Sequence, residues 1–142
     1  MPPIEVYRNL GTEAVRVFEN SANNWPVVAI ILYEDRHLVP RVEVRRPLGP
    51  DGTNWYPPLT ARIESADWSA LKLKRRQMES PYADDALCTD GFTRTVEAID
   101  ARQTIVTRVE HNCGENPVNA YFDSVAQLAL DQFAHCKTLQ YR

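Results

Sequence analysis

Seven consecutive apolar residues, Val27-Val28-Ala29-Ile30-Ile31-Leu32-Tyr33, constrain this chain more than any other feature. The run is far short of the roughly 20 residues that cross a bilayer as a helix. Four of its members are β-branched, which suits an extended strand. Apolar residues at every position, rather than at alternate ones, predict a central strand buried on both faces. Such a strand requires neighbours on either side and layers above and below.

The flanking sequence supplies the neighbours. Glu13 to Phe18 places Val15 and Val17 at period two and reads as a strand, with a short helix capped by Thr12 as the alternative. After a turn at Glu34 to His37, Leu38 to Arg46 carries Val42 and Val44 on one face, with Arg41, Glu43 and Arg45 expected outward. Pro40 has no N–H for a ladder, so it is expected at an edge or a bulge. Leu59 to Glu64 reads as another strand. Ala86 to Ile99 and Thr104 to His111 read as an antiparallel pair turning at Asp100 to Gln103.

Two segments read as helices. Ser65 offers a cap for Ala66 to Met78, with Asp67 near the positive end of the dipole and Lys72, Lys74, Arg75 and Arg76 near the negative end. A strand competes there, because Leu71 and Leu73 alternate with lysines. Asn116-Pro117 opens the clearer helix, with asparagine at the cap and proline at the first helical position. Val118, Tyr121, Phe122, Val125, Leu128, Ala129, Phe133 and Cys136 fall on one face of it. The expected fold is α+β: a mainly antiparallel sheet of about five to seven strands, with a C-terminal helix and a short internal helix packed on it. At 142 residues the chain has the size of one domain, 1–142. A domain of this length buries about two-thirds of its unfolded surface and folds without a metal or disulfide staple.

Charge narrows the classes of partner. The net charge of −3 argues against bulk affinity for nucleic acid. Its distribution is uneven: residues 36–76 hold nine Lys/Arg and four Asp/Glu, a local +5, against −8 for the remainder. Such asymmetry can orient a partner or drive head-to-tail association, although two solvated faces with no partner are the plainer account. The start, Met1-Pro2-Pro3-Ile4-Glu5, lacks the basic and apolar stretches of a secretory signal, so a cytoplasmic protein is the default expectation and no membrane is implied.

Three cysteines bear on that default. The hairpin turn at Asp100 to Gln103 would set Cys88 nearly opposite Cys113, so a disulfide between them is compatible with a periplasmic or secreted location. Cys136, on the apolar helix face, reads as a small buried hydrophobe. His111 and Cys113, two apart on a strand, share a face. With His135 and Cys136 they make up the residue types of a tetrahedral zinc site, though adjacent helical residues diverge by about 100° and the spacing fits no zinc signature. The same His111 and Cys113, with Asp90 to orient the imidazole, make a thiolate–imidazole pair conceivable. A surface histidine beside a core cysteine is the plainer account. Asp90-Gly91 reads most simply as a bulge, and Asp84-Asp85 as a solvated loop pair. No glycine-rich phosphate loop, nucleophile elbow or paired-histidine metalloprotease motif occurs, and no cofactor is implied.

The long stretch from Pro47 to Pro58, Pro-Leu-Gly-Pro-Asp-Gly-Thr-Asn-Trp-Tyr-Pro-Pro, is the leading binding candidate. Its four prolines restrict the backbone and lower the ordering cost of association. Trp55 and Tyr56, flanked by Asp51 and Asn54, offer rigid contact area to a protein partner. The competing account folds one ring back over the sheet edge. Lys72 to Arg76 is a second candidate, for phosphate or an acidic partner, unless it serves only the helix dipole. Three functions compete on these grounds. The first is a non-catalytic interaction module of inhibitor, immunity or adaptor type. The second is a small enzyme using Asp90, His111 or Cys113 in a pocket between sheet and final helix. The third is a structural zinc domain.

Overall fold

A computed structural model describes residues 13–20, 26–48, 54–79, 93–99, 105–111 and 116–133. The elements run β1 (Ala14–Asn20), β2 (Pro26–Glu34), β3 (Pro40–Arg45), β4 (Leu59–Arg62), α1 (Ser65–Glu79), β5 (Thr93–Ile99), β6 (Ile105–His111) and α2 (Pro117–Gln132). The strands form one six-stranded antiparallel sheet in the order β4-β3-β2-β1-β5-β6. Strands β1 to β4 make a meander. The chain then crosses through α1 and returns to pair β5 against the free side of β1. The fold is therefore α+β, as the apolar patterning predicts.

The apolar run of β2 lies in the middle of this sheet and is buried on both faces. Ile30 and Leu32 enter the main core with Val15, Val17, Val42, Val44 and Val96. Ile31 faces the other way and joins Ala14, Ile99 and Tyr33 in a smaller cluster. Both helices lie over the main core. From α1 come Leu71 and Met78; from α2 come Val118, Tyr121, Phe122, Val125, Leu128, Ala129 and Phe133. The strand-or-helix ambiguity of α1 resolves as helix: Leu71 is 6% exposed and Leu73 57%, as a 3.6-residue period requires and a shared strand face does not.

Four expectations change in detail. Pro40 opens β3, an interior strand rather than an edge, and its carbonyl accepts from the Ile63 amide at 2.8 Å. At the first position of a strand its missing donor breaks no ladder. Glu43 is buried rather than solvent-facing, because Arg45 Nε donates to it at 2.8 Å from the same face of β3. The β5–β6 ladder sets Thr93 opposite His111 and Ile99 opposite Ile105, one residue from the register expected of the turn; residues 86–92 of the expected strand lie outside the described residues. Helix α2 is capped as expected, with the Asn116 side chain accepting from the Asn119 amide at 2.8 Å. It ends at Gln132, with Phe133 as its C-cap rather than within the helix; His135 and Cys136 lie outside the described residues.

Candidate functional site

The Pro47–Pro58 stretch is described at Pro47, Leu48 and Asn54 to Pro58. Beyond β3 and β4 the two chains stay paired: Tyr56 N–H donates to Arg46 at 2.9 Å, Leu48 N–H donates to Asn54 at 2.8 Å, and Pro47 bridges Trp55. Inside the sheet Val44 faces Leu59. From there to the Arg46–Tyr56 pair, one side advances two residues and the other three. The extra residue falls at Pro57-Pro58, where neither residue can donate to a ladder, and the strand bulges there. The result is a two-stranded arm projecting from the β3–β4 hairpin.

The arm separates its two aromatic rings. Adjacent residues on an extended chain point to opposite sides. Trp55 is half-buried, while Tyr56 is 44% exposed and Leu48 53% exposed. The Arg46 guanidinium lies 5.0 Å above the Tyr56 ring, close enough for a cation–π contact that holds the ring in place. Asn54 is exposed, and its carbonyl is the acceptor that closes the arm. Asp51, the remaining residue expected to bind, lies outside the described residues. Trp55 is thus the more enclosed of the two rings and Tyr56 the more exposed.

The second candidate, Lys72 to Arg76, divides in the same way. Lys72 turns inward to Glu34 at 3.3 Å and Glu13 at 3.8 Å, and lies 5.3 Å above the Trp68 ring. Arg75 is buried and meets Glu13 at 3.5 Å and Glu79 at 3.2 Å. Trp68 Nε1 donates to Glu34 at 3.2 Å. These ties fasten α1 to the start of β1 and the end of β2. Lys74 faces α2 instead and donates to Ser124 Oγ at 2.6 Å; Ser124 in turn donates to the Ala120 carbonyl at 3.0 Å.

Helices α1 and α2 run antiparallel, with a cleft between them on the outer surface. One groove, of about 280 Å³, lies between Asp67 and Leu71 on α1 and Leu128 and Asp131 on α2. The other, of about 460 Å³, lies between Lys74 and Gln77 on α1 and Asn116, Pro117, Ala120 and Tyr121 at the start of α2. Lys74 borders both. Both grooves lie between the two helices rather than between the sheet and α2.

Comparison with protein-family models, with curated proteins and with solved structures finds no match for the chain.

Of the residues considered for chemistry, His111 is the last residue of β6 and pairs with Thr93. Asp90, Cys88, Cys113, His135 and Cys136 lie outside the described residues. Among the described residues no three His, Cys, Asp or Glu side chains gather as a metal site. No helix of the described residues is long and apolar enough to cross a membrane.

The sequence reading missed a buried ionic centre beneath α2. Arg94 on β5 donates to Glu19 on β1 at 2.9 Å, meets Asp123 at 3.0 Å and reaches Asn119 at 3.4 Å, with its guanidinium 4.5 Å above the Phe122 ring. The described partners of Arg94 are side chains of β1 and of α2, so this centre ties the helix to the sheet. Its one advance signal is the occurrence of Glu19 and Arg94 at otherwise apolar positions of their strands.

Proposed function

We propose that this protein is a non-catalytic binding module that engages a protein partner through the arm at residues 46–56, in the manner of an inhibitor, immunity-type or adaptor protein. The observation that carries the reading is the pairing of exposure with order: Leu48 and Tyr56 are large, apolar and solvent-facing on a backbone held by paired hydrogen bonds. An exposed tyrosine on a rigid backbone has the character of an interface anchor, because little entropy is lost when it is buried. Arg46 above the ring supplies the third residue type common in interface hot spots.

The test compares the wild-type chain with a Leu48→Ala/Tyr56→Ala variant. Each is immobilised, the protein retained by the wild type is identified and purified, and its affinity for both forms is measured by calorimetry. The double variant should lose at least tenfold in affinity while its stability stays within about 0.5 kcal/mol of wild type, as for other surface substitutions. Trp55→Ala should lower the melting temperature instead. Undiminished affinity in the double variant, or a melting temperature that falls with it, overturns the assignment.

A further inference from the structure

We propose that β6 is the seam of a symmetric dimer, pairing antiparallel with β6 of a second copy about a two-fold axis at Val109. The edges of the sheet are β4 and β6, and they are built differently. Strand β4 has four residues, adjoins Pro57-Pro58 and sets Arg62 directly opposite Arg41. A short edge, prolines and charge are the usual guards against pairing with another chain. Strand β6 has seven residues and no proline, and it exposes Thr107 and Val109, the latter by 55%. Among the described residues no strand pairs with its outer side.

The hydrogen-bond alternation shows which backbone groups that edge presents. In an antiparallel ladder a residue turns its N–H and C=O toward the same neighbour, and successive residues alternate. Asp35 N–H donates to the Val39 carbonyl at 3.0 Å and Ile63 N–H to the Pro40 carbonyl at 2.8 Å, which commits Ile31 and Tyr33 to β3. Carried through the registers, Val15 and Val17 bond to β2, Arg16 and Phe18 to β5, and Val96 and Ala98 to β6. Val106, Arg108 and Glu110 therefore bond to β5. The backbones of Ile105, Thr107, Val109 and His111 face outward.

A second β6 must oppose outward residues to outward residues, and charge selects among the registers that do so. Centred on Arg108 or on Glu110, the pairing sets like charge against like. Centred on Thr107, it gives neither charge a partner. Centred on Val109, it sets Arg108 opposite Glu110 on both sides of the axis, at the closer, non-hydrogen-bonded spacing. Opposite charges facing each other across a ladder stabilise it and like charges destabilise it. In this register Thr107 pairs with His111, and the exposed Val109 meets its own copy. The self-complementary contact closes at two copies. It joins the two sheets into one, with the helices on the same side and each arm at an outer edge, since β4 and β6 flank the sheet.

The test uses the intact protein and reads self-association by sedimentation equilibrium. From about 10 μM to about 1 mM the wild type should pass from monomer to dimer with a Kd on the order of 100 μM, as for a small transient interface. Over the same range the amides of Thr107, Val109 and His111 should gain protection from hydrogen exchange. Val109→Pro, whose missing N–H faces outward and leaves the β5 ladder intact, should weaken the dimer about tenfold or more. Arg108→Glu should also weaken it, by setting acid against acid. Arg108→Glu/Glu110→Arg should restore wild-type association, because the register centred on Val109 opposes those two positions. Tyr56→Ala, on the arm at the far edge, should leave the dimer unchanged, which separates this seam from the partner site. A wild type still monomeric at about 1 mM overturns the proposal. So do assembly that continues past the dimer, protection gained elsewhere than β6, undiminished association in Val109→Pro, and a folded double charge variant that fails to associate. Val109→Pro and the wild-type titration decide the matter if a charge variant does not fold.

Discussion

The two faces of the sheet are both buried, but they are built on different principles. Under the helices the central rows are almost wholly aliphatic: Val15, Val17, Ile30, Leu32, Val42, Val44 and Val96 pack against Leu71, Phe122 and Val125. On the other face the strand register sets a row of Glu43, Ile31, Arg16 and Glu97 side by side across β3, β2, β1 and β5. There Arg16 pairs with Glu97 directly opposite and lies 5.4 Å above the Phe18 ring. Among the described residues, Ala14, Ile31, Ile99 and Tyr33 form a smaller apolar island there. Burial of apolar area dominates the first face, whereas the second must satisfy charges before it can be dry. The first face therefore holds most of the stability. The second is specified by pairing, because a one-residue slip of β1 against β5 would separate Arg16 from Glu97.

Adjacent residues of β2 provide the sharpest test of this difference. Leu32 and Ile31 are each 1% exposed and point to opposite faces. Leu32→Ala leaves a cavity in the large core and should cost about 4 kcal/mol, while Ile31→Ala, in the smaller of the two described clusters, should cost about 2 kcal/mol. Urea unfolding of both variants measures the gap. Equal losses would show that the second face is packed as tightly as the first.

The two faces also differ in how far they can be read from sequence. The helix face is written locally. Apolar period two in β1 and β3, the unbroken run of β2 and the 3.6-residue stripe of α2 each identify themselves without reference to distant chain, and Asn116-Pro117 marks its own helix start. The second face is not local. Arg16 and Glu97 are 81 residues apart, and either alone reads as an ordinary solvent-facing strand residue. Glu43 differs in that its described partner Arg45 is local, two residues along the same strand, so there it is the burial of the face and not the pairing that the strand's own sequence leaves unsaid. The candidate sites follow the same rule. The arm was legible as an aromatic, proline-rich stretch, but which ring would be exposed depended on a bulge at Pro57-Pro58. The cations of α1 were legible as a cluster, but only the positions of Glu13 and Glu34 in the folded sheet decide that Lys72 and Arg75 turn inward and Lys74 does not.

Each face has its buried arginine, and these sharpen the comparison further. Arg94 and Glu19, on the helix side, are the more deeply buried pair, with both side chains 7% exposed. They lie 75 residues apart and also hold Asn119 and Asp123 of α2. Glu19→Ala should cost about 3 kcal/mol, since it leaves Arg94 charged in a dry site with only its weaker partners. Replacing both Arg94 and Glu19 by methionine should recover most of that loss. Glu97→Ala on the other face, where water reaches the pair more readily, should cost about 1 kcal/mol. If Glu97→Ala proves the more damaging, the second face is the drier of the two and the ranking drawn here is reversed.

The smallest expected effect concerns acid sensitivity at the margin of the second face. Tyr33 and Arg41 are paired there across β2 and β3. Arg41 Nε donates to Asp35 at 2.7 Å, and Asp35 also accepts from the amides of His37 and Val39 at 2.8 and 3.1 Å. The Arg41 guanidinium, with these amides, pulls the Asp35 carboxyl down from 3.8 to about 2. A carboxylate whose folded pKa is depressed stabilises the fold fully above its unfolded pKa and loses that contribution as pH falls through the folded value. The Asp35-dependent part of stability should therefore be intact above about pH 4 and vanish toward pH 2. Asp35→Asn should flatten the stability profile across that window and leave its shape above pH 5 unchanged. The exposed turn also holds Leu38 at φ 60°, a left-handed conformation that the Asp35 hydrogen bonds help to enforce. Leu38→Gly should consequently soften the loss in the Asp35→Asn background, because glycine adopts that conformation without strain. If the two substitutions act independently in urea unfolding at pH 6, the turn is held by the backbone alone and Asp35 serves only to place Arg41 beside Tyr33.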